Sequence, residues 1–188
     1  SHDEFKNFAG EAVPLFKAKR IFKNTDTLEA ELDLYDFGEK KINNPVYNLT
    51  VQNGKQVFYK TSTTESKVSI PLNSITKSTM LSVILEVNGY KNTWRIFVFA
   101  ENKIENNVRM IKSEEELYDI IKNGGKAIVT KECFKNPIHG SFIPVFWSPV
   151  HFPSQKPCGA IIDNKHRIFD DFPTEKYPDY QRKRLLDN

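Results

Sequence analysis

A thiol, an imidazole and two carboxylates near the end of the chain are residue types from which a hydrolytic site could be built. Cys133 with a distant histidine could act as nucleophile and base, and His166 lies near Asp163 and Asp170 in the sequence. No nucleophile-elbow sequence surrounds Cys133, and a lone cysteine is usually a small core residue. A salt bridge or a helix cap explains His166 more simply. The sequence therefore assigns no catalytic residue.

A second candidate is the stretch "FIPVFWSPVHFP", residues 142–153, in which seven of twelve residues are aromatic or proline. Trp147 could stack on the apolar face of a sugar ring while His151 donates a hydrogen bond, so these two residues are the carbohydrate-binding candidates. The alternative is a buried strand, because alternate residues from 142 to 147 are apolar on both faces. Prolines fix the path of the loop that follows, and this rigidity could serve a partner surface.

Several ligand classes lack their sequence signatures. No histidine pair has the spacing of a metal motif, and no glycine-rich phosphate or dinucleotide loop occurs, so neither a metal nor a cofactor is expected. The net charge of +3 comes from intermixed basic and acidic residues, which disfavours nucleic acid as a partner. No apolar run approaches the roughly 18 residues that span a bilayer, so no membrane partner is expected. Cys133 and Cys158 alone do not make a disulfide scaffold.

Residues 10–101 have the pattern of short strands separated by turns. The segment "TLEAELDLYDFG" alternates apolar residues from Leu28 to Leu34 with acids, which is typical of a half-buried strand. Asn53-Gly54 predicts a hairpin turn, since both residues tolerate positive φ. Six or seven such strands without a helical pattern predict an antiparallel β-sandwich of immunoglobulin type. Trp94, in the last predicted strand, is expected to anchor its core.

Residues 107–188 have a different pattern, which predicts a small α/β module that is incomplete at its C-terminal end. "VRMIK" and "KAIVTK" are predicted strands around the helix "SEEELYDIIKNGG", in which Ser113 is the N-cap, Glu116 completes a capping box and Gly124 ends the helix. Parallel pairing of the two strands is expected, and "KAIVTK" is apolar enough to be buried. "GSFIPVFW" and "CGAIIDNKHRIF" are predicted to be extended, and "YPDYQRKRLLDN" begins a helix.

The segment "GSFIPVFWSPVHFPSQKPCGAIIDNKHRIFDDFPTE" resembles the C-terminal region of glycoside hydrolase family 2 proteins, the β-galactosidase- and β-glucuronidase-like enzymes of Bacteroidetes. The resemblance rests on the order "PVFW", "DNKH" and "FPTE", at residues 144–147, 163–166 and 172–175. The first half resembles the immunoglobulin-like sandwich that precedes this segment in such proteins. Together the two parts cover roughly residues 13–181.

The resemblance implies a non-catalytic accessory fragment of a family 2-like glycoside hydrolase, which supports the catalytic domain in carbohydrate degradation. It implies that the α/β module is part of a flavodoxin- or amidotransferase-like fold. The catalytic barrel of the family, with its two glutamates, has no counterpart here, so no catalytic residue is carried over. The tryptophan-rich stretch that follows "FPTE" in the family is replaced by "YPDYQRKRLLDN".

Partners and location follow from the same resemblance. The expected partner is the catalytic domain of the same polypeptide, with carbohydrate as a further ligand, in the periplasm or outside the cell. The alternative function is an autonomous carbohydrate-binding module, which predicts exposed aromatic residues in a row on one face of the sandwich. A third hypothesis is a free-standing hydrolase or amidotransferase that uses Cys133 or His166.

Overall fold

A computed structural model describes residues 10–101, 108–136, 151 and 160–186. This part of the chain is mostly β-structure, and its strand pairings are mainly antiparallel. It divides into two compact units. The first contains the described residues up to 101 together with Ile161–Gln181, and the second contains the others. No helix among the described residues is long and apolar enough to cross a membrane.

The described part of the first unit contains eight strands in two sheets. The strands are β1 Ala12–Lys17, β2 Ile21–Lys23, β3 Thr27–Asp36, β4 Tyr47–Asn53, β5 Gln56–Thr63, β6 Lys67–Pro71, β7 Thr79–Val87 and β8 Tyr90–Phe99. One sheet has the order β1-β3-β6 and the other β2-β8-β7-β4-β5. Neighbouring strands are antiparallel except β2 and β8, which are parallel. Residues of both sheets form one core, an arrangement compatible with the predicted β-sandwich.

The core confirms the period-two pattern of β3. Leu28, Ala30 and Leu32 are buried, while the glutamates between them are exposed. Trp94 packs against the same core, with its ring centroid 5.5 Å from that of Phe16, as predicted for an anchor. The alternation of apolar and polar residues along a strand thus directs one face of the sheet towards the core.

Two Asn-Gly pairs lie at hairpins of the second sheet. The hairpin predicted at Asn53-Gly54 is confirmed, but Asn53 belongs to β4 and the positive φ is that of Gly54, +55°. Asn88-Gly89 joins β7 to β8, and here both residues have positive φ, +49° and +81°. Two successive positive φ values are the mark of a type I′ turn, whose twist matches that of the paired strands.

Gly89→Ala should lower the free energy of unfolding by roughly 1–2 kcal/mol. The φ of Gly89 is +81°, and this left-handed conformation is unfavourable for alanine, which has a Cβ atom. No atom lies within 4 Å of the position that a Cβ would occupy, so the loss reports backbone strain and not a clash. Urea unfolding should be compared with Lys91→Ala, an exposed change in the same hairpin. A loss no larger than that of the control would contradict the role of this turn.

Asp36 organises the turn that follows β3. Its Oδ1 accepts a hydrogen bond from the Gly38 N–H at 3.0 Å, and its Oδ2 accepts one from the Ile42 N–H at 2.7 Å. Lys41 Nζ donates to the Asp36 carbonyl oxygen at 2.8 Å. These interactions, and the bond from Ile42 above all, hold the pKa of Asp36 below its ordinary value.

The lowered pKa of Asp36 predicts a pH dependence of stability. A carboxyl group whose pKa is lower in the folded state stabilises the fold above its unfolded pKa, and this contribution disappears as the pH falls through the folded pKa. Asp36→Asn should therefore melt at a lower temperature than the parent at neutral pH, and the difference should shrink in acid. Melting temperatures measured from neutral to acid pH test this prediction, with a substitution of the exposed Asp171, Asp171→Asn, as the matched control. A difference that is constant with pH would contradict the assignment.

The second unit begins with the predicted strand, helix and strand. These are β9 Arg109–Ile111, α1 Glu114–Lys122 and β10 Ala127–Val129, and the two strands pair in parallel as expected. A 3₁₀ turn, Lys131–Cys133, follows them. Near the end of the described residues, the 3₁₀ turn Tyr180–Arg182, which begins in the first unit, leads into α2, Lys183–Leu186, and this confirms the predicted helix onset.

Both ends of α1 follow their sequence signals. The Glu116 N–H donates to Ser113 Oγ at 3.3 Å, which confirms the N-cap. The Glu116 carboxylate pairs with Arg109 of β9 at 2.5 Å and so ties the helix to the sheet. Gly124, at a φ of +68°, closes the C-terminal end with the two backward hydrogen bonds of a Schellman motif.

Burial in the second unit differs from expectation. The prediction that "KAIVTK" is a buried strand is wrong, since Ile128 and Val129 are 46% and 37% exposed. Met110, which is paired with Ile128 in the register, and Ile121 of α1 are also exposed. β9 and β10 pair over only three residues each. A pair of strands this short does not provide enough packed structure to bury apolar side chains on both faces of a parallel sheet.

The extended segments predicted downstream have separate outcomes. "GSFIPVFW" lies outside the described residues. In "CGAIIDNKHRIF" the described residues 160–169 contain no strand and end in a 3₁₀ turn, Arg167–Phe169, so that prediction is wrong. Polar side chains here bond to nearby backbone groups, which competes with a strand ladder. The domain bounds 10–101 and 107–188 stay a prediction, and Ile161–Gln181 belongs to the first unit.

Candidate functional site

The last four residues of β8, at positions 96–99, are all apolar, so this end of the strand has two apolar faces. Ile96 and Val98 are buried in the sandwich core, so the alternate residues Arg95, Phe97 and Phe99 point the other way. Phe97 is only 1% exposed although it lies outside the core cluster. The outer face of β8 is therefore covered at Phe97, and additional structure must lie against this end of the strand.

Residues Ile161–Gln181, here called the clip segment, lie in the same unit and contact this outer face. Arg95 Nη1 donates to the Glu175 carboxylate at 2.5 Å and to that of Asp179 at 3.4 Å. Arg95 and Glu175 are about half exposed, so solvent screens the pair and its contribution to stability is about 0–1 kcal/mol. The ion pairs mainly orient the clip segment.

An aromatic contact fastens the clip segment more firmly. The rings of Phe99 and Phe172 stack with their centroids 5.0 Å apart and their planes at 26°. Such pairs contribute about 0.5–1.5 kcal/mol beyond the apolar area that they bury. The sequence signal for this contact is "RIFVF", residues 95–99, which is apolar at successive positions as a doubly covered strand requires.

The loop within the clip segment is held by its own backbone and polar side chains. The Ile162 N–H donates to the Lys176 carbonyl at 2.8 Å and closes the loop. His166 Nδ1 accepts a hydrogen bond from the Ile168 N–H at 3.2 Å, and the His166 N–H donates to the Asp163 carbonyl at 3.1 Å. The interpretation of His166 as a cap is confirmed.

A groove of about 280 Å³, here called the loop groove, lies between this loop and one end of the second sheet. Residues of the sheet side and residues of the clip segment line it together. They are Asn53, Ser78, Thr79, Met80, Phe169, Asp170, Phe172, Pro173, Thr174 and Glu175.

The lining combines hydrogen-bonding groups with apolar surface. Ser78 Oγ accepts a hydrogen bond from the Ala100 N–H at 3.2 Å, and Thr79 Oγ1 accepts one from Asn53 Nδ2 at 2.8 Å. A hydroxyl that accepts through its oxygen still carries a hydrogen to donate. Asp170 adds an exposed carboxylate. The groove can therefore offer donors and acceptors beside aromatic rings.

The residues predicted to bind carbohydrate do not form a described site. Trp147 lies outside the described residues, so its role stays a prediction. His151 is described and exposed, and it belongs to the second unit. The loop groove, in the first unit, was not predicted from the sequence.

Cys133 is a free, buried thiol in the second unit. Burial raises its pKa, and the nearby carboxylates of Glu114 and Glu116 raise it further. A reactive cysteine needs the opposite environment, one that stabilises the thiolate. No group of three His, Cys, Asp or Glu side chains suited to a metal ion occurs in the part of the chain that the structure describes.

Comparison with known families finds two matches, each over less than half of the chain. Residues 26–100 match the model of a domain of unknown function (DUF8488), and residues 109–188 match that of another domain of unknown function (DUF8487). No curated protein matches the chain. Neither family description states an activity.

Phe172→Ala should loosen the clip segment while the sandwich stays folded, because it removes the ring that stacks on Phe99. Hydrogen exchange of the Ile162 amide, which closes the loop, should accelerate roughly tenfold, as a loss of about 1.4 kcal/mol would cause. Protection of the β4 and β7 amides should hardly change. Ile168→Ala, at a position 70% exposed in the same loop, is the control. Equal exchange in the two variants would contradict the anchoring role of Phe172.

Proposed function

We propose that the chain is a non-catalytic accessory region of a family 2-like glycoside hydrolase. In this role it packs against the catalytic domain of the same polypeptide and supports that domain in carbohydrate degradation. The observation that carries the proposal is that residues of the "DNKH" and "FPTE" motifs make structural contacts. His166 caps a turn, whereas Phe172 and Glu175 contact β8, so these motif residues hold a fold together.

The strand order supports an immunoglobulin-like sandwich as the first domain. A three-stranded sheet β1-β3-β6 and a sheet with β8, β7 and β4 at its centre share one core. Sandwiches of this type pair sheets of three or four antiparallel strands in the same manner. The parallel β9–β10 pair with α1 supports a small α/β module of flavodoxin- or amidotransferase-like type as the second domain.

Exposed apolar side chains in the second unit support a role in packing against a neighbouring domain. Met110, Tyr118 and Ile121 are each more than 60% exposed. Apolar surface of this kind is a common feature of interaction sites. The proposed partner is the catalytic domain of the parent polypeptide, which would work in the periplasm or outside the cell.

A carbohydrate-binding module is the second candidate function, and one aromatic pair favours it. Tyr35 and Phe37 are 57% and 71% exposed, with ring centroids 6.1 Å apart. The hydrogen bonds of the Asp36 turn fix the backbone between them. A rigid pair of exposed rings is a surface on which the apolar face of a sugar can stack.

Glycoside hydrolysis by this chain, compared with that of a polypeptide extended upstream through the parent gene, tests the accessory role. Chromogenic β-galactosides, β-glucuronides and β-mannosides are suitable substrates. We expect hydrolysis only by the extended polypeptide. An extended polypeptide that lacks residues 12–181 should lose thermal stability, because its catalytic domain would lose a packing partner.

Two outcomes would overturn the proposal. Hydrolysis by the 188-residue chain alone would show that catalysis lies within it. No hydrolysis by either polypeptide on any of the substrates would contradict the glycosidase relationship. An extended polypeptide with a glutamate of its catalytic barrel replaced by glutamine is the control, since it must be inactive if the barrel catalyses the reaction.

A further inference from the structure

We infer that the loop groove binds a single neutral sugar ring. This inference goes beyond the accessory role, because it gives the first unit a ligand site of its own. It also rests on residues other than Trp147 and His151, the two candidates predicted from the sequence. The argument rests on the size, the charge and the hydrogen-bonding groups of the groove.

The size of the groove limits its ligand. Pockets for drug-sized ligands run from about 300 to 1,000 Å³, and the loop groove, at about 280 Å³, lies just below that range. One six-membered ring with its hydroxyl groups suits such a space better than an oligosaccharide. Because the groove opens to solvent on one side, further sugar residues of a chain could extend outwards.

The charge of the described lining disfavours anionic ligands. The charged residues among the lining residues that the structure describes are acidic, Asp170 and Glu175. Arg95 pairs with Glu175 at 2.5 Å and neutralises it, whereas Asp170 lines the groove and is exposed. A phosphate or a uronate would meet this carboxylate as a like charge, while a neutral ligand would meet an acceptor of hydrogen bonds.

The polar groups match the hydroxyls of a sugar. The Ser78 and Thr79 hydroxyls accept hydrogen bonds from the protein and can each donate one to the ligand. The Asp170 carboxylate can accept hydrogen bonds from two adjacent hydroxyls of a ring, since it has two oxygens. Donors therefore lie on the sheet side of the groove and an acceptor on the side of the clip segment.

The apolar lining matches the other surface of a sugar ring. Phe169, Phe172 and Pro173 of the clip segment and Met80 of β7 line the same groove. A pyranose has a C–H face that packs on aromatic rings, and its hydroxyls project from the edge of the ring. A groove whose lining combines apolar side chains with hydrogen-bonding groups can satisfy both surfaces together.

Titration of backbone amide resonances of the full chain tests this inference. The probes are methyl β-D-galactopyranoside and methyl β-D-glucopyranoside, with methyl β-D-glucopyranosiduronate as the anionic counterpart. We expect saturable shifts at Ser78, Thr79 and Asp170 with one of the neutral probes, and a dissociation constant of about 1–10 mM for so small and open a site. The uronate should bind several-fold more weakly.

Two variants with matched controls locate the site. Thr79→Val should weaken binding roughly fivefold, the effect of one lost hydrogen bond, and Thr93→Val, at an exposed position in the same sheet, should not. Asp170→Asn should reduce the ratio between the dissociation constants of the anionic and the neutral probe. The adjacent Asp171→Asn should leave this ratio unchanged. Amide spectra of the free variants verify that each one is folded.

Three results would overturn the inference. These are no saturable shift with either neutral probe, shifts confined to residues away from the groove, and binding that Thr79→Val and Thr93→Val weaken equally. Each is independent of the hydrolysis experiment, because that experiment measures catalysis by the parent polypeptide. Binding without any parent activity would support this site and contradict the accessory role.

Discussion

The burial of the outer face of β8 is the constraint on which the rest of the first unit depends. One face of this strand completes the sandwich core through Ile96 and Val98, and the other carries Phe97 and Phe99. In a two-sheet sandwich the outer face of a strand normally meets water, and two phenylalanines there would leave a large apolar surface exposed. A segment more than 60 residues later in the chain therefore belongs to the same unit.

The way in which the clip segment is attached also creates the groove beside it. Phe172 stacks on Phe99 and Glu175 pairs with Arg95, so the segment is fixed to β8 near residues 172–179. The loop that contains Phe172 and Glu175 is closed by the backbone hydrogen bond between Ile162 and Lys176, and its first part is shaped by the His166 cap. The loop thus keeps its own form beside the end of β7, and a space lined by both remains between them. The same contacts that attach the clip segment to β8 therefore leave the loop groove beside it.

The two units differ in how completely they bury their apolar residues. In the first, long strands in two sheets enclose leucines and valines with essentially no exposed area. Among the described residues of the second, Ile111 is buried, but the β9–β10 pair, with three residues in each strand, leaves Met110 and Ile128 exposed. Local signals still work there, since Ser113 and Gly124 cap α1 as their residue types predict. Capping needs only neighbouring backbone groups, whereas burial needs enough surrounding structure.

The sequence by itself determined the features that depend on near neighbours. Alternation from Leu28 to Leu32, the Asn53-Gly54 hairpin, the caps of α1 and the parallel β9–β10 pair could all be predicted, because each arises from residues a few positions apart or from one short connection. The tertiary structure alone decided that "CGAIIDNKHRIF" is a looped segment without a strand in its described part, that "KAIVTK" is exposed, and that Ser78, Thr79 and Asp170 line one groove. The looped segment and the groove depend on contacts between residues more than 70 positions apart, such as Phe99 and Phe172. No local periodicity encodes which distant segment covers a strand.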